Sequence, residues 1–230
     1  MSSKQSRFLQ KQKLAVGFFA AIVLLVLAYL AVILVKEAPM VEGFTEGVHY
    51  FALENPRRIR GETVEVMEFF SYGCIHCFNL DDDLNDWVEE NGDKIKFVRT
   101  PVIANEQWRL YGRAYYAMQA NDLLDANHKR VFREIHDSKR NIPTPEKFAD
   151  VLGLENPEPF LEVFNSLSIT QKVERADQLA RRFKIATVPN IVVNGKYLVR
   201  ASNSVGLSRM MDVIDHLIEL EEAAASASSK

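Results

Sequence analysis

Cys74 and Cys77 are the two cysteines of this 230-residue chain, and only Ile75 and His76 stand between them. Thiols at that spacing pass readily between dithiol and disulfide, so the chemistry they offer is thiol–disulfide exchange. So small a loop is a strained place for an inert staple, which itself argues for redox use. With no third cysteine the chain is not a disulfide-rich scaffold. Half of a zinc site would need two further ligands, for which His128 and His136 are the candidates. A haem-attachment site would need histidine directly after the second cysteine, where Phe78 stands.

The placement of the pair supports the redox reading. Cys-Ile-His-Cys lies between an apolar, Val- and Phe-rich run and a segment of helical periodicity, a junction characteristic of redox motifs. Cys74 then falls at a helix N-terminus, where unpaired N–H groups and the macrodipole favour a thiolate. Protonated His76 would add a positive charge nearby. Cys77, inside the first turn and on the apolar face, is expected to be the shielded, resolving thiol. Asp81, Asp82 and Asp83 suit the first half of a helix but oppose a thiolate.

Two further positions could support this chemistry. Glu68 interrupts the apolar run Val66-Met67-Glu68-Phe69-Phe70. In a strand covered on both faces it would be buried, with a raised pKa, and could exchange a proton with the resolving thiol. The alternative is an ordinary solvent-facing glutamate. Val188-Pro189 precedes a hairpin, and on composition alone the proline reads as a trans strand-initiating residue. Tyr72, Trp108, Tyr115 and Tyr116 read as core aromatics.

The elements that must position these groups follow from periodicity. A strand is expected over about 63–70, a helix from Ile75 to its stop at Gly92, and a strand over 95–99. Residues 105–183 read as all helical, with Thr144-Pro145-Glu146 and Asn156-Pro157-Glu158 as helix starts. Strands return at 191–193 and 197–199 around Asn194-Gly195, a strong hairpin signal. An amphipathic helix over 207–220 and a frayed Ala/Ser tail at 223–230 close the chain. Without the helical block, the remainder is an α/β unit with a central mixed sheet.

Residues 14–35 form 22 positions without charge or proline, long enough for a transmembrane helix and longer than the apolar region of a cleaved signal peptide. Lys4, Arg7, Lys11 and Lys13 precede the span and only Lys36 follows it closely, which orients residues 1–13 to the cytoplasm. A linker, 36–46, leads to the exported domain, 47–222. Residues 37–230 carry 23 basic against 31 acidic side chains, a net charge of −8, which argues against nucleic acid.

At this point the motifs meet a known family. Glu68-Phe69-Phe70-Ser71-Tyr72-Gly73-Cys74-Ile75-His76-Cys77 resembles the active-site stretch of the DsbA family of exported thiol oxidases. Val188-Pro189 with Val193-Asn194-Gly195-Lys196-Tyr197 resembles its cis-proline loop and hairpin, and Gly47-Val48-His49-Tyr50 its opening segment. The resemblance spans about Glu46 to Leu220. It implies a thioredoxin fold with a helical insertion at about 104–183, here preceded by one transmembrane helix.

The resemblance also implies roles. Cys74 would be the attacked cysteine and Cys77 the resolving one, His76 would tune Cys74, and Glu68 would be the buried acid. Pro189 would be cis, with the Val188 backbone pairing to a substrate peptide. No cofactor beyond the Cys74–Cys77 disulfide is implied. Partners would be exported cysteine-containing polypeptides and a DsbB-type quinone-linked reoxidant, with the catalytic domain on the periplasmic side of the inner membrane. Ile75 departs from the proline of the best-known members, which bears on oxidising strength. A membrane-fed reductase or isomerase of the same fold, and a peptide-binding holdase with incidental cysteines, are the rival readings.

Overall fold

The computed structural model describes residues 43–228 except 60, 62, 203 and 204, together with 22, 23 and 26. The expected membrane span, 14–35, therefore lies outside the described residues apart from Ile22, Val23 and Val26, which are helical. Among the described residues no helix is long and apolar enough to cross a membrane.

The domain is built on five strands: β1 (Phe51–Ala52), β2 (Val64–Phe70), β3 (Ile95–Pro101), β4 (Asn190–Val193) and β5 (Tyr197–Arg200). Their order is β1-β5-β4-β2-β3. Only β2 and β3 run parallel, joined by the crossover helix α1 (Ile75–Asn91); the other pairings are antiparallel. All seven residues of β2 are buried, as its uninterrupted run of large side chains requires of a strand covered on both faces.

Between β3 and β4 stand five helices: α2 (Glu106–Ala120), α3 (Leu124–His136), α4 (Pro145–Leu152), α5 (Glu158–Asn165) and α6 (Leu167–Arg182). Thr144 caps α4 by accepting from Lys147 N, with Pro145 in the first turn, as its sequence demands. At α5 the start is one residue later than Asn156-Pro157 suggests, because Pro157 occupies the cap and Asn156 Oδ1 accepts from Glu158 N. The insertion is not a detached lobe. Ala180 and Phe183, at its end, pack on Met67 and Phe69 of β2, whereas Val64 and Val66 face α1 and the C-terminal helix α7 (Met210–Ser228).

Two expectations change. The chain continues as helix to Ser228 rather than fraying from Ala223, since Glu and Ala are good helix formers and Glu221 is buried against Lys196 and Asn194. The two-residue β1 carries too little periodicity to be seen in sequence, and it covers the edge of β5. The hairpin forms as Asn194-Gly195 predicts, with both residues at positive φ (50° and 64°).

Candidate active site

Cys74 is the N-cap of α1. Its backbone is extended, and its sulfur accepts from Cys77 N at 3.2 Å, the bond that serine or aspartate usually makes at a helix start. Ser71 shapes the approach: its carbonyl accepts from Cys74 N at 3.0 Å and its hydroxyl from Gly73 N at 3.2 Å. Gly73 has no side chain for a reason, because a Cβ there would lie 2.6 Å from Trp108 Nε1.

Both cysteines are free thiols, but their surroundings differ. Cys74 retains 8% exposure and Cys77 none. The hydrogen bond from the Cys77 thiol, helped by the backbone N–H groups of Cys77 and His76, lowers Cys74 to about 7 against the opposing effect of burial. Burial, then the hydrogen bond to Cys74, pushes the Cys77 thiol well up. One sulfur is thus prepared to be a thiolate at neutral pH and the other to hold its proton. His76 has its side chain exposed, and the contribution seen here comes from its main chain.

Val188 and Pro189 lie beside the cysteines although they are more than a hundred positions away in sequence. The Val188–Pro189 peptide is cis, contrary to the reading from composition and in line with the resemblance. The Cys74 thiol donates to the Val188 carbonyl at 3.5 Å. The Val188 carbonyl, in the bend that leads into β4, therefore borders the reactive sulfur.

Beneath the pair is Glu68, 1% exposed, so the solvent-facing alternative is excluded. Burial raises its carboxyl to about 7, against the pull of Arg99 and with the push of Asp81. The site also holds groups that sequence reading did not assign. Arg99 donates through Nε to Glu68 Oε2 at 2.8 Å, and through Nη2 to Asp81 Oδ1 at 3.3 Å and Asn85 Oδ1 at 2.7 Å. Asp81 is turned into the core rather than toward the thiolate, while Asp82 and Asp83 are exposed. The signal that could have singled out Asp81 is the helical period, which puts it four residues after Cys77 on the same face.

His128 and His136, the imidazoles that a zinc site would have needed, are occupied elsewhere. His128 bridges the Tyr72 hydroxyl and Asp81, and His136 Nε2 donates to the Tyr72 carbonyl at 2.8 Å. Tyr72 and Tyr115 are buried core residues as expected, and Trp108 and Tyr116 pack partly buried against the same cluster.

Relatives agree with this geometry. Residues 80–217 match the family model described as a DSBA-like thioredoxin domain. The thiol:disulfide interchange protein DsbA of Pseudomonas aeruginosa is 32% identical over 191 residues, 82% of this chain and 90% of that one. A stretch of that length must contain Cys74 and Cys77. The protein of the same name from Pseudomonas syringae pv. tomato is 29% identical over 194 residues, 83% of this chain and 90% of that one. The crystal structure of Pseudomonas aeruginosa DsbA superposes with a TM-score of 0.76 at 32% identity, covering 81% of this chain and 98% of the other. Reduced DsbA1 from Neisseria meningitidis gives 0.70 at 25% identity, covering 81% and 99%. With a thiolate-forming cysteine at a helix N-terminus, a buried partner thiol and these relatives, the chain belongs to the DsbA family of thiol:disulfide oxidoreductases.

Proposed function

We propose that the chain introduces disulfides into exported, cysteine-containing polypeptides, with Cys74 and Cys77 as its redox centre and no other cofactor. The carrying observation is the asymmetry of the two sulfurs at the start of α1: Cys74 lowered to about 7, and Cys77 buried and pushed up. Stabilising the Cys74 thiolate stabilises the reduced enzyme and makes its disulfide an oxidant.

In this reading a substrate thiolate attacks Cys74 Sγ of the oxidised enzyme. The Cys74–Cys77 bond breaks, and its electron pair leaves on Cys77, which takes the proton of the Glu68 carboxyl. The second substrate thiolate then attacks the substrate sulfur of the mixed disulfide, and Cys74 departs as a thiolate. The substrate loses two electrons and the enzyme gains them. The Val188 backbone, partly buried beside Cys74, would pair with the extended substrate, and His76 would add its charge at the mouth of the site when protonated.

Turnover requires an oxidant, for which the resemblance suggests a quinone-linked membrane protein of the DsbB type. The apolar run 14–35 supports an uncleaved anchor in the inner membrane with the domain on the periplasmic side. Membranes washed with alkaline carbonate would retain the full chain if this anchor is inserted, and release it otherwise.

The deciding experiment equilibrates the full-length chain with glutathione buffers and reads the fraction of Cys74–Cys77 disulfide. A reduction potential well above the glutathione couple is expected. A value near that of thioredoxin, about −270 mV, would overturn the oxidase reading in favour of a reductase or isomerase.

A further inference from the structure

Five polar side chains form a continuous buried chain from the active-site loop to the carboxyl beneath the cysteines. Tyr72 OH lies 2.7 Å from His128 Nδ1, and His128 Nε2 lies 3.0 Å from Asp81 Oδ1. The Arg99 guanidinium then joins Asp81 to Glu68. Tyr72, His128, Asp81 and Glu68 are each less than 9% exposed. Two buried carboxyls thus share one partly exposed guanidinium, which balances a single negative charge. The cluster has room for one proton more, and its two carboxyls compete for it.

Geometry decides the competition. A phenol that donates to Nδ1 leaves Nε2 as the protonated nitrogen of a neutral imidazole, and Nε2–H is then aimed at Asp81 Oδ1. Burial lowers the pKa of His128, in keeping with the neutral form, and raises that of the Tyr72 phenol, which keeps its proton. Asp81 leans most on this bond. Its Oδ2 is buried without a partner, the other donor to Oδ1, Arg99 Nη2, stands farther off at 3.3 Å, and Asn85 favours the carboxylate less than His128 does. Glu68 instead receives the closer Arg99 Nε and no second donor among its hydrogen bonds.

We propose that His128 is a positioning residue of the exchange reaction: by donating to Asp81 it holds that carboxylate ionised and keeps the exchangeable proton on Glu68, beside Cys77. The other titratable groups facing the cluster are Tyr115 of α2 and Asp125 of α3, besides the two cysteines themselves. Neither of the first two makes a bond that would substitute for the one from His128. The proposal rests on the reading of Glu68 as the proton donor to Cys77, but the location of the proton can be measured independently of the rate.

Infrared spectra of the full-length oxidised protein at mildly acidic pH read that location from the C=O stretch of a protonated buried carboxyl. In the wild type this band should shift in Glu68→Asp and stay in Asp81→Glu, two variants that keep both carboxyls over the one guanidinium. In a His128→Phe background, where the ring fills the space among Phe70, Tyr115 and Phe132, the pattern should invert: the band shifts in Asp81→Glu and stays in Glu68→Asp. His128→Gln, whose amide can still donate to Asp81, should keep the wild-type pattern. Tyr72→Phe, which removes only the donor to Nδ1, should weaken the Glu68 band and is the second variant if His128→Phe does not fold. The proposal is overturned if the band in His128→Phe still belongs to Glu68, if His128→Gln behaves as His128→Phe does, or if Tyr72→Phe leaves the wild-type band. Should the band move as expected while Glu68→Gln exchanges thiols at the wild-type rate, this assignment stands and the role of Glu68 in the reaction falls.

Discussion

Glu68 and Arg99 stand directly opposite each other in the parallel register of β2 and β3, and Arg99 Nε donates to Glu68 Oε2 at 2.8 Å. The register therefore delivers a fixed cation to the one carboxyl under the redox pair. It also limits what that cation can do, because the same guanidinium serves Asp81.

Replacing Arg99 by Met would leave two buried carboxyls without their counter-charge. Breaking a buried pair in this way costs about 3–5 kcal/mol when the remaining groups are ionised. As pH falls toward the ordinary carboxyl values, 4.5 for Glu68 and 3.8 for Asp81, neutralising both acids in the folded variant costs less, so the loss should shrink. Urea unfolding of Arg99→Met and wild type at pH 5 and pH 8 checks this. An equal loss at both pH values would mean that Arg99 matters for packing rather than charge.

Glu68 makes its own contribution to stability against pH, and the sign follows from the raised pKa. Between 4.5 and about 7 the folded protein holds a proton that the unfolded chain has released. Its contribution is thus fully present below 4.5 and is lost as pH rises through about 7. At 1.36 kcal/mol per pH unit the change is on the order of 3 kcal/mol. The difference in unfolding free energy between oxidised wild type and oxidised Glu68→Gln should slope downward across this range, and thiols do not titrate in that form. A flat difference would place the Glu68 pKa near its ordinary value.

Much of this was legible in the sequence, and the rest was not for definite reasons. Cys74, Cys77 and the helix that starts between them were readable because they are adjacent and the helical period begins there. The hairpin was readable because Asn194-Gly195 demands positive φ. Arg99 gave no signal, since its tie to Glu68 depends on the register of two strands separated by a helix. Asp81 shared a helix face with Cys77, yet a run of three aspartates resembles a solvated surface. His128 lies 47 positions from Asp81 and could be placed only once the insertion had folded back onto α1.

Cys74 owes its lowered pKa first to the thiol of Cys77. Cys77→Ala should therefore move the ultraviolet titration of the Cys74 thiolate upward from about 7, whereas Cys77→Ser, which keeps a donor, should move it less. With a disulfide-bonded substrate both variants should also accumulate the mixed disulfide, because the Cys74 thiolate breaks the substrate bond and releases a substrate thiolate, and no Cys77 thiol is left to displace Cys74. If Cys77→Ala titrates as the wild type does, the helix N-terminus and not the partner thiol is what lowers Cys74.

The tight contact between Gly73 and Trp108 ties the active-site loop to the helical insertion. A Cβ at residue 73 would fall 2.6 Å from Nε1 and 3.1 Å from Cδ1 of the indole. Trp108 cannot simply retreat, since its backbone N–H is held by the Asn105 cap at 2.9 Å and its ring packs against the core of the insertion. The loop must then shift at Cys74, or α2 must shift at its start. Gly73→Ala should destabilise the protein by about 1–3 kcal/mol and slow thiol exchange. Trp108→Phe has a shorter ring, so the double variant should recover most of what Gly73→Ala loses. Thermal unfolding and exchange rates of the four proteins test the coupling. Additive losses would show that the two residues act separately, and that the glycine answers to the backbone of the loop and not to the indole above it.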